Sequence, residues 1–184
     1  DVAPSRGLGD VYKRQVVDKD CELNILTFND EKGKGAFRHT ASHIMAQAVK
    51  RLYPETKLAI GPSVADGFYY DVDRETPFTA DDLEKIEKEM KKIVKENLPI
   101  EQFTKPRNEA IEYFKEKEEP YKVELIEDLP EDETISFYSQ GEFTDLCAGP
   151  HLMSTKYVKA FKLTSLAGAY WRGSEKNKIC LLYT

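Results

Sequence analysis

The chain has 184 residues, a formal net charge of −6, 40% hydrophobic and 11% aromatic residues, and 33% charged residues. That is enough for one medium core, or one domain plus a piece of another; no apolar run is long enough to span a membrane and no secretory pattern opens the chain. The acidic balance argues against a general nucleic-acid coat but leaves room for a local basic groove, and the odd, irregularly spaced Cys21, Cys147 and Cys180 argue against a disulfide framework and for a reducing, cytoplasmic setting.

In chain order, residues 1–15 show neither helical nor alternating periodicity and read as a non-native or disordered leader; residues 180–184, "CLLYT", read as a similar tail. Both ends look like translated adapter sequence, with a natural disordered tail as the alternative, and both are left out of the fold argument, Cys180 with them. The run "ELNILTF" within 16–30 predicts a short strand, and "NDEKGKG" after it a linker. Residues 36–53 predict a helix with a buried stripe of Ala41, Ile44, Met45, Ala48, Val49 and Leu52, stopped by Pro54. "KLAIG" and "GFYYDVD" predict strands. Thr79 opens a long helix with a capping box to Asp82; Leu83, Ile86, Met90, Ile93 and Val94 form its buried face, and Glu84–Lys88 and Glu87–Lys91 its wet face. Another helix is expected from Pro106 to Glu119, with Pro120 beyond its end. "YKVELI", "ISFYSQ", "EFTDLCA" and "VKAFKLTSLAGAYWRG" predict mostly antiparallel strands. The expected class is α+β, with helices covering one face of an antiparallel sheet and no internal repeat.

All three histidines fall in two clusters. His39 and His43, at i and i+4, project from one helix face and could ligate a metal or flank a small substrate, or be two separately satisfied structural histidines. In "TDLCAGPH", Asp145 and Cys147 share a face if the segment is a strand, and the following turn carries His151 back towards Cys147. A buried cysteine is by default a small hydrophobe. Taken together, however, His39, His43, Cys147 and His151 form a donor set suited to zinc, with Asp145 placed to orient a water or bond a histidine.

"RHTASH" followed about a hundred residues later by "CAGPH" resembles the second additional domain of the threonyl- and alanyl-tRNA synthetases, the editing module, and the proline of "CAGPH" favours the threonyl branch. "KLAIGPSVADGFYYDVD", "PYKVELI" and "GAYWRG" agree with that branch, so the resemblance covers roughly residues 20–179. It implies that 16–30 is the end of a small ubiquitin-like domain, that 31–179 is an editing domain of the threonyl/alanyl fold, and that the ATP-dependent core and the anticodon-binding domain lie outside this chain.

The implied reaction is hydrolysis of serine wrongly esterified to threonine tRNA. Threonine exceeds serine by one methyl group, a difference worth only about 1–3 kcal/mol of discrimination, so a second site must remove the error. The resemblance implies that His39, His43, Cys147 and His151 line the pocket. Asp145 recognises the serine ammonium and helps hold water, Lys122 binds the ester or relays a proton, and Tyr70 orients the adenosine end. It implies a metal-free pocket, with zinc on the tetrad as the alternative; ATP and a further zinc belong to the absent core. The partner is a tRNA 3′ end carrying serine, and the parent enzyme would dimerise through absent domains. Two other readings stand beside it: a free-standing zinc-dependent alanyl-tRNA hydrolase, and a non-catalytic RNA-binding module with a structural zinc.

Overall fold

One 22-residue helix, α1 (Glu31–Leu52), organises the packing of the molecule. The computed structural model describes residues 20, 22, 24–169 and 179–183. The leader at 1–15 and the aromatic-rich segment 170–178 lie outside those residues. α1 begins five residues before the predicted start, so the expected linker is mostly helical. Asp30 sits in extended geometry before it, accepting the Thr27 N–H at 2.7 Å and the Thr27 hydroxyl at 3.0 Å. Glu31 in the first turn suits the positive end of the helix and pairs with Lys34 at 2.6 Å. These local contacts, with the buried turns downstream, outweigh the poor helix propensity of Gly33 and Gly35.

The amphipathic stripe expected of α1 is wider in the structure. Every residue from Thr40 to Val49 is buried, so this part of the helix is enclosed on all sides. Leu52, counted in the stripe, is 37% exposed because it lies past the last enclosed turn. α2 (Ala80–Glu96) packs beside α1. Its capping box is present: the Thr79 hydroxyl accepts the Asp82 N–H, and the Asp82 carboxylate accepts the Thr79 N–H. Ile86, Met90 and Ile93 are fully buried, with Leu83 and Val94 packed against the same cluster. Glu84 and Lys88 are exposed as expected, but Glu87 is buried; it accepts Lys91 at 2.7 Å, Lys162 at 3.1 Å and the Leu163 N–H at 3.2 Å. The loop covering α2 excludes water from that part of the predicted wet face.

The α+β class holds, with two antiparallel sheets in place of one. In the larger, β3 (Gly67–Asp73) pairs with β1 (Lys57–Leu58), β2 (Ser63–Val64) and β8 (Ile179–Tyr183), and β8 pairs with β7 (Ser165–Ala169). Phe68, Tyr70 and Val72 alternate along β3 into the core shared with α1 and α2. The backbone of 179–183, set aside in the sequence argument with the tail, therefore lies inside this sheet; a strand is defined by its partners, and these are distant in sequence. In the smaller sheet β5 (Ile135–Gln140) lies between β4 (Ile100–Lys105) and β6 (Phe143–Leu146). β4 was not predicted, since only Ile100 and Phe103 interrupt its polar sequence.

α3 (Arg107–Glu116) and α4 (Pro120–Asp128) pack Phe114 and Ile126 against Phe137 of β5. Pro106 precedes α3 as its N-cap, and α3 stops three residues short of the expected end. Pro120 opens α4, occupying a first-turn position where its missing N–H costs nothing. "YKVELI" is thus helical, not a strand. Lys122 and Ile126, four apart, turn one face of α4 inward, a spacing that alternation cannot use. The described part of 22–28 contains no strand; it has no partner, and Ile25 is 81% exposed. Residues 158–164 are likewise irregular, and among the described residues of the predicted strand only β7 is extended in a sheet.

Removing the cap of α2 tests the role of Thr79. Thr79→Ala is expected to lower stability by about 1 kcal/mol, read as a lower urea midpoint with an unchanged slope. An unchanged midpoint would mean that the capping box contributes nothing.

Candidate functional site

α1 supplies His39 and His43, and the turn that follows β6 supplies Cys147 and His151. Their ligand atoms all lie within 4.8 Å of one another. Cys147 Sγ is 3.1 Å from His151 Nε2 and 3.3 Å from His39 Nε2. The His151 ring lies 4.1 Å from each of the other two imidazoles, centroid to centroid. The alternation read from "TDLCA" is correct: Asp145 and Cys147 both face inward, and the Cys147 N–H extends the ladder to Ser136 O. His43, Cys147 and His151 are buried and His39 is half-buried.

The turn is built for close approach. Gly149 has φ +76°, and a Cβ there would sit 2.2 Å from the Tyr138 hydroxyl. Only glycine fits between that ring and the backbone. Its N–H donates to Cys147 Sγ at 3.2 Å, and Tyr138 packs on His151 with 4.5 Å between ring centroids.

Burial sets the protonation of the tetrad. It holds His43 and His151 well below the usual histidine range, each helped by neighbouring positive charge. His39 is also lowered by burial, against the pull of Asp145 and a hydrogen bond to the Pro150 carbonyl. Burial pushes the Cys147 thiol up to about 12. At neutral pH the cluster is therefore three neutral imidazoles and a thiol.

Against the tetrad lies a second buried group. Lys122 reaches in from α4, with Nζ 2.5 Å from Asp145 Oδ1 and 3.0 Å from the Tyr70 hydroxyl. Tyr70 donates its hydroxyl to Asp145 Oδ2, and the Leu146 N–H donates to Oδ1 at 2.8 Å. All three side chains are 1–3% exposed. Desolvation and the Asp145 charge push the Tyr70 phenol well above its ordinary value, so it stays protonated. His43 Nε2 approaches Asp145 Oδ2 to 3.7 Å, which links the two groups. The predicted site residues are thus brought together as one body. The accessibility differs from expectation: Tyr70 is enclosed, with Gly61 against its ring, and three of the four lone-pair positions of Asp145 are occupied. The remaining direction on Oδ2 faces His43. A cavity of about 260 Å³ meets Lys122 and Asp145 from the side of Gln47, Arg51 and Phe143.

The donor set is compatible with zinc. Bonds of roughly 2.0–2.3 Å in a tetrahedron require ligand atoms roughly 3.3–3.7 Å apart, close to the spacings about Cys147. His39, His43, Cys147 and His151 are the residues that would hold the ion. The sequence reading missed Thr40, whose hydroxyl touches His151, and Tyr138 and Gly149. The signal for Thr40 was its position inside "RHTASH", a hydroxyl in a helix turn that proves to be buried.

Residues 135–179 match the family described as the threonyl and alanyl tRNA synthetase second additional domain. The chain is 68% identical over 163 residues to the threonine–tRNA ligase of Acetivibrio thermocellus and, over the same length, to that of Clostridium acetobutylicum; in each case 89% of this chain and 26% of the relative are covered. It is 62% identical over 180 residues to the threonine–tRNA ligase of Clostridium kluyveri, covering 95% of this chain and 28% of that protein. The chain spans about a quarter of the length of the curated relatives it matches. The α+β fold, the converged tetrad and these matches agree, and the chain belongs to the threonyl-tRNA synthetase family, of which it carries the editing-type additional domain.

Proposed function

We propose that this domain hydrolyses serine wrongly esterified to the 3′ end of threonine tRNA, as the editing activity of a threonine–tRNA ligase whose aminoacylation parts are not in this chain. The observation that carries the reading is the convergence of three neutral imidazoles and a thiol beside a charge-neutralised aspartate. Ester cleavage needs a positioned water, a base to take its proton, and a donor for the leaving ribose oxygen. His39, the half-buried member, is placed to meet water and accept that proton. The remaining lone pair of Asp145 Oδ2, beside His43, would take the substrate ammonium. Lys122, already spanning Asp145 and Tyr70, would orient that carboxylate and stabilise charge that develops on the ester.

Rejecting threonine must be repulsive, because threonine has every group that serine has. The rigid wall available is α1 together with the 148–150 turn, where Gly149 already touches Tyr138. A zinc ion on the tetrad would supply Lewis acidity and acidify a bound water. We prefer the metal-free reading, in which the four donors hold ordered water; zinc binding would be accompanied by release of the Cys147 proton.

His39→Ala is expected to lower seryl-tRNA deacylation by at least about tenfold, with little change in the urea midpoint. The unmodified chain should cleave seryl-tRNA and spare threonyl-tRNA, while chelation leaves rate and melting temperature unchanged. Equal cleavage of the two esters would sink the editing reading. Loss of several kcal/mol of stability on chelation would instead favour the structural zinc.

Stability should also fall on mild acidification. His43 and His151 have depressed folded values, so the stability they contribute is complete above about 6.5 and is lost as pH falls. Each unfolded-state histidine binds a proton that the folded state refuses, a slope of about 1.4 kcal/mol per pH unit per group below that point. Asp71, raised to about 6 by burial, acts oppositely: it favours the folded state as pH falls through 6 towards 3.8. Two histidines outweigh one aspartate, so urea-derived stability should drop between pH 7 and 5. The drop should be shallower in His43→Asn; the same slope in that variant would contradict the assignment.

A further inference from the structure

We infer that Thr40 is a positioning residue: its hydroxyl holds His151 in the Nδ1–H tautomer, so that Nε2 turns a lone pair towards Cys147 and the centre of the tetrad. A hydroxyl has one proton and two lone pairs. Thr40 is fully buried, and three groups surround its oxygen: Ala36 O at 2.8 Å, Leu152 N at 2.9 Å and His151 Nδ1 at 3.3 Å. The Ala36 carbonyl can only accept, so it takes the hydroxyl proton. The Leu152 N–H can only donate, so it fills one lone pair. The lone pair that remains leaves His151 Nδ1 one possible role, that of donor. A neutral imidazole has a single ring proton, so Nε2, 3.1 Å from Cys147 Sγ, is bare.

The surroundings of Cys147 accommodate this arrangement. Sγ already accepts the Gly149 N–H at 3.2 Å. His39 Nε2 lies 3.3 Å from the same sulfur. The one S–H of Cys147 can then be given to the bare His151 Nε2, 3.1 Å away. The opposite arrangement, with Thr40 donating to a bare Nδ1, would give up the 2.8 Å bond to Ala36. Because Leu152 follows His151 directly, the one hydroxyl fixes both the ring and the main chain that carries it.

The consequence for catalysis rests on the hydrolytic reading; the tautomer does not. The test is the long-range proton–nitrogen NMR spectrum of the ¹⁵N-histidine-labelled chain, with Thr40→Val, close in shape, and Thr40→Ser, which keeps the hydroxyl. The unmodified chain and Thr40→Ser should show His151 with protonated Nδ1 and bare Nε2, and Thr40→Val should lose that pattern. Seryl-tRNA deacylation should fall about tenfold or more in Thr40→Val, mostly in kcat, with Thr40→Ser restoring it. A protonated Nε2 on His151 in the unmodified chain would overturn the assignment, even if Thr40→Val fails to fold; so would an unchanged pattern in Thr40→Val. The spectrum reports the tautomer whether or not the chain cleaves seryl-tRNA, so failure of the hydrolytic reading and failure of this assignment are read separately.

Discussion

Ten successive residues of α1 are out of reach of water, and four of them are polar: Thr40, Ser42, His43 and Gln47. A buried polar group left without a partner costs about 1–3 kcal/mol, so their partners are a condition on the fold. Thr40 finds Ala36 and Leu152; Ser42 finds the carbonyls of His39 and Gly61; Gln47 pairs with Gln140 and reaches Glu142. Apart from the bonds to Ala36 and His39, which lie within α1, each ties the helix to a segment distant in sequence: the loop after β1, the β5–β6 hairpin, and the turn after β6. The same bonds that hold the helix therefore hold the tetrad. His43 is the exception, with Nδ1 lacking a hydrogen-bond partner among the described residues.

The second constraint is charge. Asp145 and Lys122 are both about 3% exposed in their side chains, and an isolated buried ion would be far costlier than their mutual attraction repays unless its remaining hydrogen-bonding positions are filled. Tyr70 and the Leu146 N–H fill them. The arrangement draws on α4, β3 and β6, so the three layers meet at one carboxylate. It also leaves the tetrad beside a locally neutral group. A bare carboxylate there would pull protons onto the imidazoles; with Lys122 against it, burial prevails and they stay neutral.

The tetrad was legible because its members are rare and because local geometry fixes half of each pair: i and i+4 on a helix, alternate positions on a strand. The α+β class and the capped α2 were legible for the same reason, since periodicity and caps are local. What sequence could not supply was enclosure. Nothing in "YKVELI" distinguishes a strand from a helix whose first turn is opened by Pro120, because Val and Ile are tolerated wherever packing rewards them. Glu87 and Leu52 exchange their expected environments because a loop covers one and the helix outruns its cover at the other. Tyr70 and Lys122 are buried against Asp145 beside the tetrad, but their depth depends on β3 and α4 meeting at that carboxylate, which no local pattern encodes.

Enclosure also narrows what Cys147 can do. A thiol held at about 12 is thiolate in only about one part in 10⁵ at neutral pH, too little for a nucleophile of the activated kind, which lies at or below neutrality. The features that lower a cysteine in reactive sites are a helix N-terminus, an adjacent imidazolium or a bound cation; here the neighbouring imidazoles are neutral and the Gly149 N–H is its one backbone donor among the described contacts. Cys147 is therefore suited to a different task, giving a weak hydrogen bond to His151 and packing against His39 so that both rings stay oriented. His39 is the least buried member of the tetrad. On the hydrolytic reading proposed above, the burial of the other two histidines would leave proton transfer to that ring.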